Sequence, residues 1–178
     1  ALPTVTASGK PAVSPAASEI SGASLGEDFA PDLSSRKPAN ARNVRDHLRG
    51  TGYQILFEDG FDTPLSSPAR GWDEFGDIDS LGHKLGKRLP RNLNEDLERL
   101  ADRIVHLFDA GWKTVRVVTD HGWLLLPGGL PKVDLPKHLT ASRWARCAVM
   151  AGDSDPGVPR YPWGWNSSQW FATAPGIA

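Results

Sequence analysis

The stretch "LNEDLERLADRIVHLFDAGWKTVRVVTDHG" (residues 93–122) decides the fold class. In its first half, apolar residues recur every three or four positions, which predicts an amphipathic helix. Asn92 or Asn94 can cap the start of this helix, and Gly111 is placed to end it. Its apolar face consists of Leu93, Leu97, Leu100, Ile104, Leu107 and Phe108.

The β-branched run "KTVRVV" (residues 113–118) follows after a short turn and predicts a strand. A helix, a short turn and a β-branched strand are typical of an α/β unit with a parallel sheet. In open sheets of this kind, ligands bind beyond the carboxyl ends of the strands. Asp120 and His121 follow the strand directly and are therefore candidate site residues.

The rest of the chain supplies further short elements. "GYQILFED" (residues 52–59) and "WDEFGDID" (72–79) predict strands, and residues 11–20 and 41–49 predict short helices. The 15 prolines and 18 glycines predict many breaks between these elements. The expected architecture is an α/β domain with a mainly parallel sheet, flanking helices and long Pro/Gly-rich loops.

Composition narrows the class of protein. The 178 residues suit one domain, and 39% hydrophobic with 23% charged residues is typical of a soluble globular chain. The formal net charge of -1 gives no overall attraction to nucleic acid or anionic membrane. No apolar run is long enough to cross a bilayer, and the start lacks the layout of a signal peptide, so we expect a cytoplasmic protein without a membrane partner.

The single cysteine, Cys147, limits the possible metal ligands. One cysteine excludes an intramolecular disulfide and a cysteine-rich zinc module, so a metal would be held by Asp and His. We expect Cys147 itself to be a buried packing residue.

A second Asp/His pair occurs in "DIDSLGHKLG" (residues 77–86), where Asp79 and His83 are four positions apart, just past a predicted strand. Carboxylate oxygen and imidazole nitrogen are the usual non-thiol ligands of zinc. Two pairs at neighbouring strand ends could hold two ions about 4 Å apart, the usual arrangement for displacement at phosphorus. Spacing equally allows a structural interpretation: Asp79 caps a turn, His83 lies on a helix, and Asp120 and His121 form a solvated loop.

The opening segment "LPTVTASGKPAVSP" (residues 2–15) contains a candidate nucleophile, Thr6. A hydroxyl in a small-residue loop before a helix can carry a phosphoryl group, because the helix N-terminus stabilises the anion. Thr and Ser beside Pro also form ordinary turns, so the segment alone is a weak signal.

Three motifs, taken in order, resemble a known family. "PTVT" (residues 3–6), "DIDSLGH" (77–83) and "VTDHG" (118–122) resemble the nucleophile loop, the Asp-x-x-Gly-His segment and the Asp-His-Gly segment of the alkaline phosphatase superfamily, especially its phosphodiesterase branch. Longer stretches are similar to the PglZ proteins of bacterial phage-defence systems (BREX and phage growth limitation). These stretches are "ALPTVTASGKPAVSP", "GWDEFGDIDSLGHKLG", "DAGWKTVRVVTDHGWLLLPGGLPKVDLPKHL" and "ATAPGIA".

The resemblance implies a role for each matching residue. Thr6 matches the nucleophile, with Thr4 as the alternative alignment. Asp79 and His83 match two ligands of one zinc ion, and Asp120 and His121 match two ligands of the other. Asp77 is a neighbour that we expect to be structural or to support a ligand. The implied activity is zinc-dependent hydrolysis of a phosphoester, for which nucleotides or nucleic acid are candidate substrates and other phage-defence proteins candidate partners.

The chain also departs from the family pattern. Members carry a further metal-binding Asp upstream of the nucleophile loop and a further His downstream of the segment ending "PGIA". Each site then has two protein ligands besides Thr6, fewer than the three that catalytic zinc sites usually have. We therefore expect a central portion of a phosphatase domain, lacking the first strand and the C-terminal ligand segment, with weak metal binding and little activity by itself.

Two alternatives belong to other functional classes. One is a nucleic-acid-binding module that uses a basic helix at residues 42–49 and a cluster of tryptophans to stack bases. Its further candidate residues are Lys84, Lys87, Arg88, Arg91, Trp163, Trp165 and Trp170. The other is a catalytically inactive scaffold that contacts other defence proteins.

Overall fold

The helices and strands are taken from a computed structural model, which describes residues 5–22, 28–59, 62–122, 140–141, 147–150, 155 and 157–173. The α-helices are α1 (Thr6–Val13), α2 (Ala41–Gly50), α3 (Leu56–Asp59), α4 (Ile78–Leu85) and α5 (Leu93–Asp109). The strands are β1 (Ile20–Ser21), β2 (Asp32–Leu33), β3 (Gln54–Ile55), β4 (Gly71–Trp72), β5 (Thr140–Ala141), β6 (Cys147–Met150), β7 (Arg160–Trp163) and β8 (Asn166–Thr173). Short 3-10 helices cover Ala17–Glu19 and Gly86–Arg91.

The described residues fall into two compact units. The first unit contains residues 5–44, residues 119–122 and the described residues from 140 onward. The second unit contains residues 45–118. Asp120 and His121 therefore belong to the same unit as Thr6, whereas Asp79 and His83 belong to the other.

The largest sheet lies in the first unit. Its four strands are antiparallel in the order β5-β6-β8-β7, with Cys147 opposite Thr173 and Tyr161 opposite Phe171. A register shift between Pro162 and Trp163 interrupts the pairing of β7 with β8. The expected mainly parallel sheet is therefore not what the described residues form, because their parallel pairing is limited to the two-residue strands β3 and β4.

One face of this sheet carries the core of the first unit. Val5, Phe29, Cys147, Trp163 and Phe171 form a buried cluster. The rings of Phe29 and Phe171 meet edge to face, with centroids 5.7 Å apart, a preferred aromatic geometry. Burial of Cys147 confirms its predicted packing role.

Helix α1 is attached to this core at its N-terminal end. Val5 precedes α1 in extended conformation and is buried in the cluster. The hydroxyl of Ser8, which is fully buried, donates a hydrogen bond to the carbonyl of Phe29 at 2.6 Å. This bond holds Phe29 in a left-handed backbone conformation (φ 57°) that few non-glycine residues adopt. Helix α1 begins at Thr6, earlier than the predicted start at residue 11.

The second unit is built around α5, the element that the sequence predicts best. The helix begins at Leu93 and ends at Asp109, and Gly111 follows with φ 107°. Asn92 stands before the helix but makes no side-chain capping bond. Leu107 is buried, whereas Leu97 and Phe108 on the predicted apolar face are about half exposed. Other buried apolar residues of this unit are Leu48, Ile55, Leu56 and Leu89.

The predicted strand at residues 113–118 is wrong for the part of the chain that the structure describes. This segment pairs with no described strand, and Val117 and Val118 are 59% and 44% exposed. The other two predicted strands shorten to β3 and β4, since helix α3 follows β3 immediately and α4 begins at Ile78. High β-propensity reflects a fit to a pleated, half-buried surface, and without a neighbouring strand it does not produce pairing.

The fold class that remains is mixed α/β, with small parallel and antiparallel sheets. Across the described ranges, no helix is both long enough and apolar enough to cross a membrane.

Candidate metal centre

Helix α1 and the sheet core fix the position of Thr6. The amides of Ser8 and Gly9 donate to the carbonyl of Val5 at 3.0 and 2.7 Å, which closes the first turn around Thr6. Since Val5 is anchored in the core, Thr6 is held at the N-terminus of α1, where helical N–H groups favour negative charge.

Residues 119–122 form a turn that carries Asp120 and His121. The hydroxyl of Thr119 donates to the carbonyl of His121 at 2.7 Å, and the amide of His121 donates to Oδ1 of Asp120 at 3.1 Å. The side chains of His121 and Asp120 are only 14% and 17% exposed. The structural alternative of a solvated loop therefore does not describe these two side chains.

Three polar atoms from α1 and this turn converge. Thr6 Oγ1 lies 3.3 Å from His121 Nε2, and the same nitrogen lies 3.9 Å from Asp120 Oδ2. Asp120 Oδ2 is buried and has no hydrogen-bond partner among the residues that the structure describes. A buried carboxylate oxygen without a partner is costly, so this atom is placed where a cation or a donor would stabilise it.

The positions of the two oxygens around the His121 ring differ from those in a nucleophile–His–acid triad. In a nucleophile–His–acid triad, the nucleophile and the acid bind opposite nitrogens of the imidazole ring. Here the hydroxyl and the carboxylate both face Nε2. The hydroxyl and the carboxylate are therefore close to the same ring nitrogen, and not to opposite nitrogens as in a triad.

Spacing and chemistry of these atoms fit zinc. Zinc bonds of about 2.0–2.1 Å in a tetrahedral site place neighbouring ligand atoms about 3.3 Å apart. The hydrogen-bond distance of 3.3 Å between Thr6 Oγ1 and His121 Nε2 equals this value, and the separation of 3.9 Å between Nε2 and Asp120 Oδ2 exceeds it. Carboxylate, imidazole and hydroxyl are all oxygen or nitrogen donors suited to zinc.

Asp79 and His83 occupy the setting of the structural interpretation, with His83 on a helix, and not the predicted strand end. They lie on helix α4, not at the end of a strand, and face the same side at i and i+4. His83 Nε2 is 3.7 Å from Asp79 Oδ1, and the side chains are 73% and 49% exposed. Asp77 precedes α4, and its carbonyl accepts hydrogen bonds from Leu81 N and Ser80 Oγ. Both bonds use the backbone of Asp77, so the role expected of its side chain stays a prediction.

The remaining predictions for the metal site concern a larger ligand group, Thr4 and the most specific motif. Within the described ranges, no group of three or more His, Cys, Asp and Glu side chains is arranged to hold a metal. Thr4, the alternative nucleophile, and residues 123–132 of the most specific motif lie outside the described residues.

Some of the residues proposed for nucleic-acid binding are engaged within the chain, whereas Arg42, Lys84, Arg88 and Arg91 are exposed. Arg45 and Arg49 of α2 form ion pairs with Glu58 at 2.8 and 2.6 Å. Trp163 is buried and Trp165 packs against the core, which removes both from a stacking surface. Trp170 is 40% exposed, with the guanidinium of Arg160 over its ring. The side chain of Lys87 lies outside the described residues.

Sequence reasoning missed an ion network around Arg103 of α5. Arg103 binds Asp62 and Asp73, each at 2.8 Å, and His106 Nε2 lies 2.8 Å from Asp62 Oδ2. The indole N–H of Trp112 donates to the carbonyl of Asp62. The hydrogen bond from Arg103 lowers the pKa of Asp62 from 3.8, with His106 acting in the same direction, and Asp62 in turn raises the pKa of Arg103. In the sequence, the feature that points to this network is the i, i+3 spacing of Arg103 and His106, which places both side chains on one side of α5.

Replacing Arg103 by glutamine should lower the free energy of unfolding of the second unit. It should also make this free energy less dependent on pH under acidic conditions. Because the native pKa of Asp62 is lowered, its stabilising contribution is present above the unfolded value of 3.8 and is lost as the pH falls through the native value. We expect Arg103→Gln to lose about 1 kcal/mol at neutral pH. Urea unfolding between about pH 5 and 2 should show a smaller decline in the variant. Arg91→Gln, an exposed control, should behave like the native chain.

Comparison of the chain with protein-family models, curated proteins and solved structures found no match. Functional inference therefore rests on the geometry of Thr6, Asp120 and His121 and on the motifs in the sequence.

Proposed function

We propose that this protein is a zinc-dependent phosphoester hydrolase, a phosphatase or phosphodiesterase, in which Thr6 is the nucleophile and Asp120 and His121 hold a zinc ion. The observation that carries the proposal is the convergence of Thr6 Oγ1 and the buried, unpartnered Asp120 Oδ2 on the same nitrogen of His121. A hydroxyl nucleophile beside a carboxylate and an imidazole that can ligate zinc matches the groups used in metal-assisted displacement at phosphorus.

The wider assignment belongs to the same proposal. The order of the motifs at residues 3–6, 77–83 and 118–122 supports an alkaline-phosphatase-like domain of the PglZ type that acts in bacterial phage defence. Asp79 and His83 are the candidate ligands of a second zinc ion. The observation that supports this role is the position of the pair itself: the carboxylate and the imidazole lie 3.7 Å apart on one exposed side of α4.

The chemistry of the proposed reaction has two displacements. In the first, Thr6 Oγ1 loses its proton to solvent and attacks phosphorus, so that an Oγ1–P bond forms as the bond from phosphorus to the leaving ester oxygen breaks. In the second, water attacks the same phosphorus, the Oγ1–P bond breaks, and Thr6 regains a proton. Zinc, when bound, supplies positive charge that lowers the pKa of the hydroxyl and stabilises the negative charge at phosphorus.

The chain itself contributes orientation and a fixed electrostatic field. Asp120 and His121 are held by the turn at residues 119–122, and Thr6 by the first turn of α1. The N-terminus of α1 faces the phosphoryl group that Thr6 would carry, which favours its negative charge. The low exposure of Asp120 and His121 limits competition from water for the ion.

Zinc binding should depend on Asp120. We expect Asp120→Asn to lower zinc affinity by more than about a hundredfold, since loss of a direct ligand exceeds the effect of losing an outer partner. Isothermal titration of the full-length protein at fixed pH measures this, with Asp109→Asn, an exposed carboxylate at the end of α5, as the matched control. Equal affinity in the native chain and Asp120→Asn would remove the metal assignment.

Hydrolysis assays distinguish the proposal from its alternatives. p-Nitrophenyl phosphate and bis-p-nitrophenyl phosphate, assayed with zinc and with chelator, report monoesterase and diesterase activity separately. In the full-length protein, we expect zinc-dependent hydrolysis of at least one of them. Binding of labelled single-stranded DNA that persists in chelator, without hydrolysis, would instead indicate a nucleic-acid-binding module. Absence of both activities would leave the scaffold alternative.

A further inference from the structure

Gly9 lies inside α1, where the backbone does not require glycine. The residue is helical, and glycine in a helix interior is less favourable than alanine. With Pro11 also inside this eight-residue helix, α1 depends on tertiary contacts. A glycine at such a position points to a close approach by another part of the chain.

The segment that approaches Gly9 is the one that carries the proposed metal ligands. A Cβ atom at residue 9 would lie 2.9 Å from the carbonyl oxygen of Asp120 and 3.0 Å from its Cβ. Real Cβ atoms essentially never approach another atom as closely as 2.9 Å. The nearest atom belongs to the backbone, so a side chain at residue 9 would displace the turn itself, not the end of a flexible side chain.

Such a displacement acts directly on the ligand atoms. The Cβ of Asp120 carries the carboxylate, and His121 is attached to the next backbone position and bonded to Oδ1. Thr6, by contrast, stays on α1. A shift of a few tenths of an ångström between α1 and the turn therefore changes the distances from Thr6 to both ligands, and metal sites tolerate only about 0.2 Å.

We infer that Gly9 is a positioning residue of the proposed metal centre: the absence of its side chain sets the spacing between Thr6 on α1 and the Asp120–His121 ligand pair. The expected effects on zinc binding and catalysis rest on the proposed function. The spacing itself is a property of the fold. Ser8 supports the same arrangement from the other side, because its bond to Phe29 prevents α1 from moving away.

The test compares two glycine-to-alanine substitutions. Gly122 lies next to His121, and a Cβ there would meet no atom within 4 Å. We expect Gly9→Ala to lower zinc affinity at least tenfold and to lower kcat more than it raises KM, because the nucleophile and the ion are misplaced relative to each other. Gly122→Ala should retain zinc affinity and kcat within about twofold. Zinc affinity in Gly9→Ala equal to that of the native chain would overturn the inference.

A second measurement separates failure of the inference from failure of the proposed function. Side-chain NMR of His121 in the metal-free chain should show a change in ring chemical shifts in Gly9→Ala and not in Gly122→Ala. If the native chain binds no zinc, the proposed function fails, yet this shift still decides whether Gly9 sets the spacing. Unchanged ring shifts in Gly9→Ala would overturn the positioning role.

A relief variant decides the question where Gly9→Ala does not fold. Thr119→Val removes the bond from Thr119 to the carbonyl of His121 and lets the turn recede. We expect Gly9→Ala/Thr119→Val to fold and to bind zinc at least tenfold more weakly than Thr119→Val alone. Equal zinc affinity in these two variants would contradict the inference.

Discussion

Replacing Thr6 by alanine in the full-length protein is expected to abolish phosphoester hydrolysis, by about 10⁴-fold or more, while the protein retains its fold and binds zinc. The substitution removes the atom that attacks phosphorus but leaves Asp120 and His121 in place. Alanine suits the first turn of a helix at least as well as threonine, so α1 should persist. The loss corresponds to about 5 kcal/mol of transition-state stabilisation.

Two controls make this result specific to the hydroxyl of Thr6. Thr6→Ser keeps a hydroxyl at the same position and should retain measurable turnover. Thr114→Ala removes an exposed threonine in the second unit and should leave hydrolysis unchanged. Mass spectrometry of the quenched reaction should find a phosphoryl group on the peptide that contains Thr6. Hydrolysis by Thr6→Ala at the native rate would reject the nucleophile assignment.

The prediction of α5 is confirmed because the signals for this helix lie in its own sequence. Apolar spacing and Gly111 are properties of the residues within and beside the helix, and the observed bounds Leu93–Asp109 follow them. Leu97 and Phe108 nevertheless remain about half exposed, because the buried side of α5 centres on Leu107 and Asp96. Periodicity defines an apolar face, but the neighbours in space decide how much of it is covered.

Strands depended on partners that the sequence pattern does not identify. "KTVRVV" has strong β-propensity, yet no described strand pairs with it. "NSSQWFAT" lacks a comparable β-branched run, yet it forms β8 in the centre of the four-stranded sheet because β6 and β7 lie on either side. Pairing between residues distant in sequence, such as Cys147 with Thr173, is set by tertiary structure.

The sequence identified the residues of the candidate site, but it did not predict how they are placed relative to one another. Thr6, Asp120 and His121 were identified from chemistry and motif order, and the structure brings these three together. Asp79 and His83 were also identified, but their placement at a strand end was wrong because helix α4 begins at Ile78. The contribution of Gly9 had no signature beyond a glycine within a helical segment, since its reason is a contact with Asp120 across more than a hundred residues.

The second large effect is expected from Phe171→Ala in the core of the first unit. Phe171 is fully buried and contacts Phe29 edge to face, with Tyr161 beside it at a centroid distance of 6.1 Å. Removing a buried aromatic ring costs about 3–5 kcal/mol, a large fraction of the 5–15 kcal/mol that stabilises an ordinary domain. Urea unfolding followed by tryptophan fluorescence should register the loss, because Trp163 lies in the same cluster.

The same substitution should also lower zinc affinity, because Val5 connects the cluster to the metal centre. Val5 packs in the cluster that contains Phe171 and directly precedes Thr6, so a cavity in the core loosens the N-terminus of α1. Trp170→Ala is the matched control on the adjacent position of β8, where the ring is 40% exposed and stacks on Arg160. We expect that control to lose at most about 1 kcal/mol and to bind zinc like the native chain. Equal destabilisation by the two substitutions would mean that the aromatic cluster does not form the core that holds Thr6 in place.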